Sequence, residues 1–181
     1  PAGRQGGAQP PGGRRGGGGG FPNVPALPFP AEARTLSTTT GQIRAVPVAA
    51  GLVRPWSLAF LPNGDMLVTE KPGRLRIVRG GTLEPQPISG VPAVVSTGQG
   101  SLMEVALHPR FAENRWVYFT YSKAGERGNT TALGRGALEG LALTGVQDLF
   151  VADAWSTGPL HFGSKLAFAP DGTLFMTVGE R

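Results

Sequence analysis

No cysteine occurs among the 181 residues, which excludes disulfides and thiolate metal ligands. No apolar run approaches the roughly 18 residues that a membrane helix needs. No segment places apolar residues at helical spacing over three turns, which removes the helical fold classes. Histidine occurs twice, so imidazole chemistry near neutral pH falls to His108 or His161. Acidic residues are missing from the first twenty positions, where Arg4, Arg14 and Arg15 stand among glycines. These three arginines account for most of the net charge of +5, and the rest of the chain is near balance. A basic tail of this kind reads as a solvated linker, so no nucleic-acid partner is expected. Neither a Ser-His-Asp arrangement nor a P-loop is visible. The run from Gly134 to Gly140 has one residue too many for a dinucleotide fingerprint and lacks a strand-helix-strand setting.

Glycine and proline are what the chain has in abundance. Residues 1–40 hold a Gly/Pro/Arg-rich leader or linker with too few apolar side chains to offset the entropy of ordering, so disorder is expected there. From residue 41 onward, turn residues recur roughly every 8–12 positions, the rhythm of short strands. The pattern predicts strands over 43–49, 56–61, 66–70, 75–79, 83–88, 102–107, 116–121, 130–138, 146–152, 165–169 and 174–178. The fold class is therefore all-β.

A repeat selects among the all-β folds. Leu58-Ala59-Phe60, then a Pro62-Asn63-Gly64 turn, then Met66 to Glu70, returns as Leu166-Ala167-Phe168, Pro170-Asp171-Gly172 and Leu174 to Val178. A looser copy runs from Val105-Ala106-Leu107 to Trp116 and beyond. The copies start 47 and 61 residues apart, compatible with propeller blades of roughly 40–50 residues plus loop insertions. A small alanine in each copy suits the innermost strand, where blades converge. Residues 41–181 are read as a partial β-propeller of about three blades, truncated, the amino-terminal part of a longer protein. A complete small sandwich stays open as the alternative.

A propeller binds its ligand on the loops that feed the innermost strands. Gln99 and His161 occupy such loops, six residues before Val105 and five before Leu166. The imidazole of His161 suits a proton acceptor, or else a loop-fixing hydrogen bond. Gln99 offers a donor and an acceptor for a polar ligand, or serves as an ordinary loop amide. Gly98 and Gly100 would let a planar ligand approach the backbone. His108 is expected to fix its His-Pro turn. Glu104 and Asp153 lack the acidic neighbours of a metal site. Glu70-Lys71 and Glu180-Arg181 read as a repeated ion pair between blades.

Taken together, Pro55-Trp56-Ser57-Leu58-Ala59-Phe60, Gly98-Gln99-Gly100-Ser101-Leu102-Met103-Glu104 and His161-Phe162-Gly163-Ser164-Lys165 resemble the soluble PQQ-dependent aldose sugar dehydrogenases of the glucose/sorbosone dehydrogenase family. That family folds as six-bladed propellers. The resemblance spans residues 45–181 and implies PQQ as cofactor, with a Ca2+ ion whose ligands would lie beyond residue 181. It implies that His161 is the catalytic base at the anomeric hydroxyl and that Gln99 is cofactor-binding. It further implies an aldose substrate, an external electron acceptor and a periplasmic or secreted location. Leu160 stands where the glucose-specific branch has Asp, which favours broad aldose specificity. Glycines at 134 and 136 stand where larger strand residues are usual. A partner-binding propeller and a calcium-dependent lactonase-type hydrolase are the rival readings.

Overall fold

The turns at Pro62-Asn63-Gly64 and Pro170-Asp171-Gly172 are built alike, and they show how the repeat folds. Gly64 and Gly172 take φ of 86° and 88°, values that residues with a Cβ rarely adopt. Leu61 N–H donates to Asp65 O at 2.8 Å and Ala169 N–H to Thr173 O at 2.8 Å. The two turns therefore close their hairpins identically. In the third copy the turn is replaced by a one-turn helix, α1 (Phe111–Asn114), and the hairpin closes through His108 N–H on Trp116 O at 3.0 Å. His108 Nδ1 accepts from Arg110 N–H at 3.0 Å, so this histidine does fix its turn.

The computed structural model describes residues 29–181 apart from residue 31; the Gly/Arg-rich stretch through residue 28 lies outside the described residues. The strands are β1 (Arg34–Thr38), β2 (Gly41–Ala45), β3 (Pro55–Phe60), β4 (Met66–Glu70), β5 (Arg74–Arg79), β6 (Thr82–Leu83), β7 (Leu102–Leu107), β8 (Trp116–Gly125), β9 (Gly128–Glu139), β10 (Ala142–Val151), β11 (Gly163–Phe168) and β12 (Leu174–Val178). They form a β1–β2 hairpin, four-stranded antiparallel sheets ordered β3-β4-β5-β6 and β7-β8-β9-β10, and a β11–β12 hairpin. The sheets are successive blades of a partial propeller. Two blades are complete and a third is present as its inner hairpin, a finer count than the expected three.

Two strands differ from expectation for reasons of proline chemistry. Pro47 follows shortly after β2 ends, and Pro85 and Pro87 cut the expected strand at 83–88 down to β6, because neither proline has an N–H for the ladder. Ile88 regains one bond, its N–H donating to Leu75 O at 2.8 Å. The exposed β1–β2 hairpin crosses the leader boundary placed at residue 40.

The innermost strands β3, β7 and β11 share a ladder irregularity at one place. The register shifts between Pro55 and Leu58, between Leu102 and Val105, and between Gly163 and Leu166. At each bulge a threonine of the next strand takes up the freed N–H. Ser57 N–H donates to Thr69 Oγ1, Glu104 N–H to Thr120 Oγ1 and Lys165 N–H to Thr177 Oγ1, each at 3.0 Å. Two of the hydroxyls then donate onward to the following blade, Thr69 to Met103 O at 2.6 Å and Thr120 to Ser164 O at 3.0 Å. Thr69 and Thr120 are fully buried, so these bonds stitch blade to blade without solvent.

Apolar packing fills the rest of each joint. Between the first two blades lie Leu67, Leu75, Ile77, Leu102, Val105, Val117 and Phe119, with Ala59 against them. Between the second and third lie Tyr118, Leu133 and Leu166, with Ala106 against them. The repeated alanine thus faces the following blade and leaves room for its Val105 or Leu166. Burying side chains of this size contributes roughly 1.5–3 kcal/mol each. Gly134 and Gly136 do not interrupt β9. A Cβ on Gly134 would meet the Phe119 ring at 2.5 Å, so that glycine makes space for a core aromatic.

Candidate active site

The loops before β7 and β11 meet at one end of the innermost strands. Gln99 N–H donates to Pro159 O at 2.7 Å, and His161 N–H donates to Gln99 Oε1 at 2.7 Å. Two bonds in opposite directions, Gln99 to Pro159 and His161 to Gln99, thereby lock the two loops together. His161 takes the left-handed conformation, φ 60°, which costs an L-residue roughly 1–2 kcal/mol. Its side chain is 54% exposed, and its Nδ1 is bonded to Glu180 Oε1. No hydrogen bond engages Nε2 among the described residues. The imidazole is held from behind and open in front. Glu180's carboxyl sits below the usual carboxylate range, first because its own backbone N–H donates to it and further through His161.

The two site residues are close but not register equivalents. Lys71 N–H on Arg54 O, Ser122 N–H on Ser101 O and Gly179 N–H on Phe162 O mark the same step of each hairpin. By that mark His161 corresponds to Gly100, and Gln99 to Leu160. The one-residue offset agrees with their distances of six and five residues from Val105 and Leu166.

Gly98 and Gly100 also serve a different purpose from the expected one. A Cβ on Gly98 would overlap Pro159, and one on Gly100 would lie 2.9 Å from the Phe162 ring. These glycines let the two loops interlock; they are filled by the protein itself rather than kept open for a planar ligand. The pairing of Glu70 and Glu180 is likewise not a repeated bridge between blades. Glu70 is fully buried within its own sheet, accepting from Val53 N–H at 2.6 Å and from Arg74 Nε at 2.6 Å. Glu180 meets His161 instead. Lys71 donates to Gly98 O and Gly100 O, and Arg181 donates to Leu160 O and to the Asn129 side chain.

Beneath the loops, Glu104 Oε1 accepts from Ser57 Oγ at 3.0 Å and from Lys165 Nζ at 3.0 Å. Ser57, Glu104 and Lys165 occupy the same position of β3, β7 and β11, so the repeat joins three blades at the hub. Asp153 pairs with Arg127. Trp56 is 45% exposed on the flank of β3, Trp116 carries Arg135 over its ring at 4.0 Å, and Trp155 fills the space at Gly125. Two clefts of about 400 and 690 Å³ lie away from Gln99 and His161, which stand on an open rim.

The donor set decides what could bind. Calcium needs six to eight oxygen ligands, and no group of three or more metal-ligating side chains occurs among the described residues. Glu70 and Glu104 are committed to cations. The described side chains therefore assemble no calcium site. Toward a planar polar ligand such as a quinone they would present one edge, His161 Nε2 and the Gln99 amide nitrogen, neither of which has a hydrogen-bond partner among the described residues. The cations nearest that edge, Lys71 and Arg181, are turned onto backbone carbonyls. Sequence reasoning missed Glu180 as the partner of His161. It follows that histidine by 19 residues, and only the return of β12 beside β11 brings them together.

Relatives share this framework. An aldose sugar dehydrogenase, YliI, of Escherichia coli K12 is 42% identical over 135 residues, covering 71% of this chain and 36% of that protein. A solved glucose dehydrogenase superposes with a TM-score of 0.68 at 46% identity, covering 72% of this chain and 42% of that one. The PQQ-bound form of an aldose sugar dehydrogenase from Streptomyces coelicolor superposes with a TM-score of 0.65 at 29% identity, covering 86% of this chain and 44% of that one. The chain thus spans less than half the length of each of these proteins. No helix among the described residues is long and apolar enough to cross a membrane. The family model for glucose/sorbosone dehydrogenase matches residues 52–181, the same residues that carry the repeated hairpins and the interlocked loops, and the chain belongs to that family.

Proposed function

We propose that this chain carries the base-bearing part of a periplasmic or secreted enzyme that oxidises the anomeric hydroxyl of aldose sugars. The observation that carries the reading is the half-exposed His161 imidazole, anchored through Nδ1 by Glu180 and through its backbone by Gln99. With Nδ1–H donated to the carboxylate, Nε2 is left as the acceptor. His161 Nε2 takes the proton of the C1 hydroxyl while the C1–H bond breaks and the C1–O double bond forms, giving the lactone. PQQ, when bound, supplies the two-electron acceptor for the hydride, and an external acceptor reoxidises it. Gln99 would hold one edge of the cofactor through its amide. Glu180 keeps the imidazole in one tautomer and balances the charge it gains. No step is derived through calcium, because the described residues gather no cluster of ligating side chains.

The test is aldose-dependent dye reduction by the natural protein supplied with PQQ. His161→Ala and His161→Gln are expected to lower kcat by about 10²–10⁴-fold, the usual contribution of a positioned base, with circular dichroism unchanged. Turnover that survives either substitution overturns the base assignment. Absence of aldose-dependent turnover in the unaltered protein would leave a binding role instead.

A further inference from the structure

Arg181 lies beside the site, yet its guanidinium does not face it. Its Nη1 donates to Leu160 O, and its Nη2 lies 3.1 Å from Asn129 O, 2.6 Å from Asn129 Oδ1 and 3.3 Å from Gly158 O. The plane of the same group stacks on the Phe162 ring, 3.6 Å from its centroid. Its partners thus stand on both sides of His161 in sequence and on the start of β9. A fork of fixed donors suits this task, because one group can gather several carbonyls at set angles. The gathered segment is the one that must hold His161 at φ 60°, a conformation that persists only where the surroundings over-determine it. A second cation is used in the same manner nearby. Lys71 donates to the carbonyls of Gly98 and Gly100, which bracket Gln99.

We propose that Arg181 is a positioning residue for proton transfer, holding the His161 loop in its left-handed form while its neighbour Glu180 holds the imidazole. The proposal rests on His161 being the base. Arg181 touches neither substrate nor reacting atoms; it acts through residues 158–162. Lys71 performs the corresponding task for Gln99. A displacement of the imidazole by about 1 Å is enough to cost on the order of 100-fold in rate.

The experiment has two independent arms, both in the natural protein. The first follows hydrogen exchange of the His161 backbone amide without any cofactor added. Arg181→Ala is expected to remove the protection given by the bond to Gln99 while β7 and β11 amides stay protected. Unchanged protection at His161 overturns the proposal whatever the enzyme does. The second arm measures kcat and KM for an aldose. Arg181→Ala is expected to lower kcat about 100-fold with KM changed less than threefold. Added ethylguanidinium is expected to restore part of the loss, and Arg181→Lys is expected to stay impaired because an ammonium cannot reproduce the fork. A loss that tracks a lowered melting temperature and resists rescue marks a purely structural role and overturns the proposal. Asn129→Ala, which removes one acceptor and leaves the stack on Phe162, is expected to give a smaller fall in kcat with the fold retained. If His161→Ala keeps full turnover while Arg181→Ala still loses His161 amide protection, the base reading fails and the loop-holding role stands.

Discussion

His161 owes its place to atoms that are not its own. Its backbone carbonyl sits against Gly179, so closely that a Cβ there would overlap the carbonyl oxygen. Gly179 is therefore required by space rather than by a special φ. Gly179→Ala is expected to push the His161 loop off β12, lowering kcat more than tenfold while the blades stay folded. Tryptophan fluorescence and the dye assay, read on the same sample, check this; an unimpaired variant would show that the loop has slack. The imidazole could be picked out beforehand because only two histidines occur and one lies in a turn-fixing His-Pro pair. Its carboxylate partner could not be. Glu180 reads as one more charge at a strand end until β11 and β12 pair, with Gly163 opposite Val178.

At the scale of the strand, the repeat carries hydrogen bonds as well as side chains. Each bulge frees an N–H that donates to a threonine hydroxyl, and in two joints that hydroxyl donates in turn to a carbonyl of the next blade. Thr120 links Glu104 N–H to Ser164 O, and Thr120→Val would leave both groups unpaired in a dry joint. Leaving a buried polar group unpaired costs about 1–3 kcal/mol, so a loss of roughly 2–4 kcal/mol is expected by urea denaturation. Thr120→Ser, which keeps the hydroxyl, should recover most of it. A loss no larger for valine than for serine would deny the stitch. The threonines were visible in sequence as ordinary β-formers. Their double role was not, because the bulge that frees the N–H arises from the strand pairing itself.

Across the whole molecule, the same repeat position has different surroundings in each blade. Val105 and Leu166 are 2% and 5% exposed, whereas their counterpart Leu58 is 51% exposed. Leu67 is fully buried, whereas its counterpart Phe175 is 62% exposed. The two outer flanks of the described residues therefore present blade-facing surfaces to solvent, with Trp56, Leu58 and Phe60 on one side. Contiguous apolar surface of this kind drives association. Residues 29–181 produced alone are expected to bind a hydrophobic dye and to self-associate at micromolar concentration. Phe60→Glu combined with Phe175→Glu should weaken both effects; a monodisperse, dye-negative chain would contradict the packing. Sequence alone determined the all-β class, the hairpin repeat, and the histidine and glutamine at the loop tips, because alternation and turn chemistry are local and survive in a linear string. Tertiary structure decided the rest: which glycines make room for the protein, which carboxylate meets the imidazole, and where each cation points. Those outcomes depend on distances between segments that the chain brings together only when the blades stack, and no spacing along the sequence encodes them.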